Sequence, residues 1–182
     1  MLTLYIRAFT VVTALIFLTG MQFGFSPEPG RSLLRLLLLV SIVSCVSVSI
    51  ILGWHVGYDN PWCVVIGTAL TSTGILLFIV ALLSHPSRPG KAFAREPPPS
   101  LRCRGPYRLA RHPLYLSYLL ALFGIATLTE SWLMFAMSCW MAALYWYAAA
   151  MEERLILGSD LGTAYTAYRS RVGMFCPWSL RV

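Results

Sequence analysis

The sequence predicts an all-α protein: a polytopic membrane helical bundle of about five transmembrane helices with a C-terminal amphipathic helix on the cytoplasmic side. Three observations predict it. Of the 182 residues, 58% are hydrophobic and only 12% are charged, with a mean hydropathy of +0.70, whereas a soluble domain carries far more charge. Five apolar runs approach the roughly 20 residues that a helix needs to cross the hydrocarbon core. Five crossings also collect nearly all the basic residues on one side.

The first run, about 4–24, follows a single basic residue, Arg7, and leads into GMQFGFSPEPG. That is a poor cleavage region, so the run reads as a retained transmembrane helix rather than a signal peptide. The second and third runs, about 33–54 and 62–84, complete an N-terminal three-helix membrane region over 1–84. A long loop follows, HPSRPGKAFAREPPPSLRCRGPYRLARH (85–112), which holds six of the eleven prolines. Proline removes backbone donors and blocks helix, so most of this loop should be irregular. Runs four and five, 113–128 and 131–151, are separated only by a few residues around LTES and form a tight helical hairpin. Loop, hairpin and tail make up a second region, 85–182. In the tail, Leu161, Tyr165, Tyr168 and Val172 are spaced by four, three and four. That spacing puts them on one face of an amphipathic helix over 160–172, suited to the membrane surface or to capping the bundle.

Orientation follows from charge. Arg31 and Arg35, the seven basic residues from Arg88 to Arg111, and Arg154, Arg169, Arg171 and Arg181 all fall on one side of a five-span chain. Arg7, Asp59 and Glu130 fall on the other. This predicts a multi-pass integral membrane protein with its C-terminus in the cytoplasm. The formal net charge of +7 then faces anionic headgroups and does not imply nucleic acid. Cys45, Cys63, Cys103, Cys139 and Cys176 form no CxxC pair, and His55, His85 and His112 are far apart, so neither a disulfide frame nor a metal site is expected.

The chemistry concentrates around GPYRLARHPLYLS (105–117), at the cytoplasmic start of span four. Pro113 suits the first helical position, which puts His112 at or near the N-cap. The free N–H groups and positive end of that helix attract an anion, and Arg111 and His112 add to the pull. The plain alternative is that Arg108 and Arg111 contact lipid phosphates. Glu152 and Glu153 end span five at the same level, where an acidic pair opposes the helix dipole and needs a partner or a task. A salt bridge to Arg111 or Arg154 is the structural reading. The hairpin lets His112 and the two glutamates line one pocket, with 160–172 closing it. Tyr165 and Tyr168, taken alone, read as interfacial anchors.

The ordered set Gly105-Pro106-Tyr107, Arg111-His112-Pro113, Tyr115, Glu152-Glu153, Leu155, Gly162, Tyr165, Tyr168, Val172 and Pro177 resembles the isoprenylcysteine carboxyl methyltransferase family and its phospholipid methyltransferase relatives. The resemblance covers roughly 100–178. It implies an integral membrane enzyme that uses S-adenosylmethionine, held on the cytoplasmic side, and a lipophilic small-molecule or prenylated acceptor entering from the bilayer. It implies cofactor contacts at Tyr107, Arg111, His112, Pro113, Tyr115, Leu116, Glu153, Tyr165 and Tyr168, and chemistry at Glu152, Glu153 and Arg171. Arg171 or Arg169 would orient a carboxylate acceptor, and a glutamate would be the base for an amine. The chain departs from the family at Ser117, where glycine is common and a serine narrows approach to the cofactor. It departs again at Met174, where a basic residue is common, which argues against a prenylcysteine acceptor. Sterol reductases that use NADPH share an RHP-x-Y stretch, and a non-catalytic lipid-binding protein is the third reading. The glutamate pair and short tail favour the methyltransferase.

Overall fold

A computed structural model describes residues 2–24, 32–55, 60–84, 97, 98 and 100–176. Six α-helices follow in order: α1 (Leu2–Gly24), α2 (Ser32–His55), α3 (Pro61–Leu83), α4 (Pro113–Leu128), α5 (Trp132–Leu157) and α6 (Gly162–Arg169). A short 3-10 turn, Gly105–Arg108, precedes α4. There are no strands among the described residues. Arg31, Asp59, residues 85–96 and Pro177 lie outside the described residues. Leu36–His55, Pro61–Leu83 and Trp132–Leu157 are each long and apolar enough to cross a membrane; Leu4–Phe17 and Pro113–Leu128 are shorter apolar stretches.

Local chemistry sets the helix ends. Asn60 caps α3 by accepting the Trp62 N–H at 3.0 Å, with Pro61 in the first turn. Ser131 caps α5 by accepting the Met134 N–H at 3.3 Å. Between α4 and α5, Glu130 takes a φ of 49°, the left-handed conformation that lets the chain reverse within Thr129–Ser131. Helix α5 runs six residues beyond the apolar pattern, to Leu157. Met151, Glu152, Glu153, Arg154 and Leu155 are good helix formers and carry it to Gly158.

Helices α3 and α4 pack most closely, and glycine makes this possible. A side chain at Gly67 would meet the Gly124 carbonyl at 2.7 Å, and one at Gly74 would meet the Ser117 carbonyl at 2.7 Å. Gly67, Thr71 and Gly74 on α3 thus face Ser117, Ala121, Gly124 and Leu128 on α4, running antiparallel. Small residues at four- and three-residue spacing are the usual means of close helix approach in a bilayer, where no hydrophobic driving force exists between helices. Ser117 is fully buried and its hydroxyl donates to the Leu114 carbonyl at 2.6 Å. It lies in the α3 contact, where its own carbonyl is the atom that a side chain at Gly74 would meet.

Helix α2 crosses α5 antiparallel, with the Trp140 indole N–H donating to the Ser41 hydroxyl at 3.0 Å and Ser49 against Met134. Interior hydroxyls are satisfied within their own helices: Thr10, Ser49, Thr71 and Ser138 each donate to the carbonyl four residues back. The bundle thus buries no unpaired hydroxyl at these positions. Trp54, Trp62 and Trp132 are all exposed at one end of the bundle. His112 and Glu152 lie at the other.

The α3–α4 contact generates a direct test. Gly124→Ala places a methyl against the hydroxyl and backbone N–H of Thr71 and the Gly67 carbonyl, an overpacking cost of about 1–3 kcal/mol. Gly158→Ala meets nothing closer than 3.6 Å and should be near neutral. Thermal unfolding of the detergent-solubilised variants, followed by circular dichroism, should separate the two.

Candidate active site

The antiparallel α4–α5 hairpin brings the start of α4 level with the last turns of α5. There the Glu153 carboxylate is nearly inaccessible and collects four partners. Arg111 donates its Nε to Oε1 at 2.9 Å, and His112 Nε2 lies 3.2 Å from the same oxygen. Arg169 Nε is 3.7 Å from Oε2, and the Tyr165 phenol also hydrogen-bonds this carboxylate. Glu152, one residue earlier, keeps 22% of its side chain exposed. It accepts the Tyr115 phenol proton at 2.5 Å and has His112 Nδ1 at 3.7 Å. Each ring nitrogen of His112 thus faces a different glutamate, with Nε2 within hydrogen-bond distance of Glu153 and Nδ1 farther from Glu152.

The C-terminal segment is tied to this point. The Arg111 N–H donates to the Gly173 carbonyl at 3.0 Å and the His112 N–H to the Met174 carbonyl at 3.1 Å. Arg111 Nη1 donates to the carbonyls of Val172 at 2.9 Å and Arg169 at 3.2 Å. Phe175 packs over the His112 ring at 6.2 Å. Tyr165 and Tyr168 of α6, with Val172 just beyond it, pack against Leu101 and Ile156, so the face they were read to share is the buried one. The helix itself is limited to Gly162–Arg169. The Tyr168 phenol donates to the Tyr107 carbonyl at 2.5 Å, which fastens α6 to the turn before α4.

These phenols are held neutral. Burial pushes the Tyr107 phenol up to about 12, helped by the Glu152 charge and opposed by Arg102. Burial likewise raises Tyr165, with Glu153 adding to it, and raises Tyr168.

Most of the residues expected at the site meet here. Arg111, His112, Tyr115, Glu152, Glu153 and Tyr165 form one connected cluster, and Tyr107 and Tyr168 adjoin it. Pro113 is buried in the first turn of α4, and Leu116 is half-buried, with its N–H on the His112 carbonyl. Arg111 does not face lipid: its side chain is 8% exposed, and its Nε and Nη1 donors are taken by Glu153 and the tail. Arg108 is exposed. The structural reading of Glu153 as a salt-bridge partner holds, and the two glutamates differ in kind: Glu153 clamps, and Glu152 retains accessible surface. Arg171 stands outside the cluster, exposed, with its Nε on the Ala167 carbonyl at 3.0 Å. The pairing of Gly173 and Met174 carbonyls with Arg111 and His112 carries no sequence signal, because backbone acceptors are indifferent to side chain. No side chain caps the start of α4.

The raised Tyr107 phenol, in the turn that Tyr168 fastens to α6, gives this contact a pH dependence. A raised folded pKa means that the cap keeps its full stability below about pH 10, the ordinary tyrosine value, and loses it as pH rises towards 12. Tryptic cleavage at Arg169 and Arg171 should accelerate in that window. Glu153→Ala leaves Arg111 buried and unpaired, a loss of about 3–5 kcal/mol. The same cleavage should become fast at neutral pH in this variant while helical content persists.

The profile of the family described as phospholipid methyltransferase matches residues 62–159, just over half of the chain, reaching back through α3 and ending at Ser159. A methanethiol S-methyltransferase from a Pseudomonas species is 30% identical over 133 residues, covering 68% of this chain and 49% of that protein. Methanethiol S-methyltransferase 1 of Bradyrhizobium diazoefficiens is 34% identical over 83 residues, 44% of this chain and 27% of the relative. A methanethiol S-methyltransferase of Mycobacterium tuberculosis is 36% identical over 75 residues, 41% and 30%. The chain therefore spans half or less of the length of these relatives. No solved structure matches it significantly. With its glutamate pair, its RHP-x-Y helix start and a profile match across both helices of the hairpin, the chain belongs to the phospholipid methyltransferase family.

Proposed function

We propose that this chain is an integral membrane methyltransferase that uses S-adenosylmethionine to methylate a small lipophilic acceptor, a neutral thiol being the favoured class. Family membership supports the reaction type, and the names of the relatives support the thiol. The observation that carries the reading is the His112–Glu152–Tyr115 arrangement at one end of the hairpin. It keeps an accessible carboxylate, an uncapped helix start and aromatic faces together after Arg111 and Glu153 have been used for structure.

These residues suit the cofactor. The α4 start and His112 favour its carboxylate, and Glu152 favours its ammonium or ribose hydroxyls. The rings of Tyr115 and Phe175 favour its sulfonium and adenine. When bound, S-adenosylmethionine supplies a methyl group activated by the sulfonium. Much of the protein's contribution is positioning. A thiol must lose its proton, and Glu152, steadied by the Tyr115 phenol, is the residue that accepts it. A carboxylate acceptor would need an orienting cation, and Arg169 lies nearer to the cluster than Arg171. We read five spans, α1 and α4 together with α2, α3 and α5, and on that reading the excess of basic residues assigns the cluster to the cytoplasmic side.

Calorimetric titration of the purified protein with S-adenosylhomocysteine, with NADPH alongside, tests this. Saturable binding of the homocysteine compound is expected, weakened at least about tenfold, roughly 1.4 kcal/mol, in Glu152→Gln and His112→Ala. Binding of NADPH instead would support a reductase, and binding of neither by folded protein would contradict catalysis at this cluster.

A further inference from the structure

We infer that Arg7 of α1, resting on the Trp54 indole of α2, is the seat of a phospholipid phosphate at the end of the bundle opposite the His112–Glu152 cluster. The inference rests on the bundle spanning a bilayer and is independent of the methyltransferase reading.

The guanidinium carbon of Arg7 lies 5.1 Å from the centre of the Trp54 ring, within the range of a cation–π contact. That contact engages the charge but accepts none of the N–H groups. The Arg7 Nε is buried and has no hydrogen-bond partner. Thr10, one turn on, does not supply one, because its hydroxyl donates to the Ile6 carbonyl at 3.0 Å. Among the described residues no carboxylate forms an ion pair with Arg7. A guanidinium is always charged, and a buried donor without an acceptor is rare in a folded protein, so the acceptor comes from outside the chain. Snorkelling into water does not account for it, since a snorkelled arginine keeps its whole charged head hydrated, Nε included.

Position names the anion. Arg7 stands in the second turn of α1, about 8 Å from its first residue, and Trp54 is the last residue but one of α2. Trp54 is exposed, as are Trp62 and Trp132 at the same end, and tryptophans mark the level of the lipid headgroups. The abundant anion at that level is the phosphodiester of a phospholipid. Its paired oxygens match the planar fork of a guanidinium, which can hold them through two parallel N–H bonds. The positive end of α1 acts in the same sense. The acyl chains also have a surface: Leu4, one turn before Arg7, and Ile50 and Ile51, one turn before Trp54, are exposed. Beside this point α1 and α2 approach closely, since a side chain at Gly53 would meet that of Thr10 at 3.3 Å. A lipid held by Arg7 therefore sits at the edge of the α1–α2 contact. Inorganic phosphate would gain nothing from the apolar flank.

The test uses the full chain labelled with 5-fluorotryptophan, in a maltoside detergent that carries no phosphate. The Trp54 resonance, assigned with Trp54→Phe, is followed by 19F NMR. Titration with dihexanoyl phosphatidylglycerol should shift it saturably. Dihexanoylglycerol, which has the same chains and no phosphate, should leave it unmoved at the same concentrations. In Arg7→Gln the half-saturating concentration should rise at least about tenfold, with helical content by circular dichroism unchanged. Arg7→Lys, which keeps the charge and loses the fork, should also bind more weakly, and it serves as the variant if Arg7→Gln does not fold. An equal shift with dihexanoylglycerol, or one that the Arg7 variants leave in place, overturns the phosphate seat. A shift produced equally by inorganic phosphate overturns the lipid as its source, and the absence of any shift overturns both.

Discussion

The buried pair of Arg111 and Glu153 is the constraint on which the polar end of this molecule depends. Neither group has enough exposed surface to be solvated alone, and an uncompensated charge at that depth is costly. Each therefore fixes the other, and each has further duties. Glu153 also holds His112, Tyr165 and Arg169. Arg111 also holds the carbonyls of Val172 and Arg169. One ion pair thus joins the start of α4, the end of α5, α6 and the segment that follows it.

This division explains why two adjacent glutamates occur where the helix dipole disfavours them. Glu153 is consumed in building the site. Its neighbour is thereby left at the rim of an already rigid structure, hydrogen-bonded to Tyr115 and within reach of His112. A stack of rings then leads inward from His112 through Tyr115, Tyr145 and Tyr118 to Phe17 and Phe78. The polar end and the apolar interior are in this way continuous through aromatic rings.

Much of this was legible in the sequence, and the reasons are physical. Helix positions followed from long apolar runs, because backbone in lipid must pair with itself. The meeting of His112 with Glu152 and Glu153 followed from the short α4–α5 connection, which forces an antiparallel hairpin. That Tyr165, Tyr168 and Val172 share one face followed from their spacing; that this face is buried, so that Tyr165 and Tyr168 are not the interfacial anchors they read as alone, did not. What escaped depends on contacts between distant segments. Gly67, Thr71 and Gly74 opposite Ser117, Ala121 and Gly124 carry a readable small-residue spacing, yet only the fold shows which helix meets which. The length of α5 escaped because Glu152 to Leu155 break the apolar pattern but favour helix. The roles of the two glutamates escaped because a one-residue step rotates a side chain by about 100° around a helix, and burial on one side only becomes visible once α6 is in place.

On the proposed reading, the α4 start and the segment from α6 to Phe175, tied together through Arg111 and His112, bind the donor as one unit. Hydrogen–deuterium exchange of the detergent-solubilised protein, with and without S-adenosylhomocysteine, tests it most directly. Slower exchange is expected together in 105–117 and 160–176, with the exposed Trp54 and Trp132 end unchanged. Protection confined to the Trp end, or protection of one segment without the other, would contradict it.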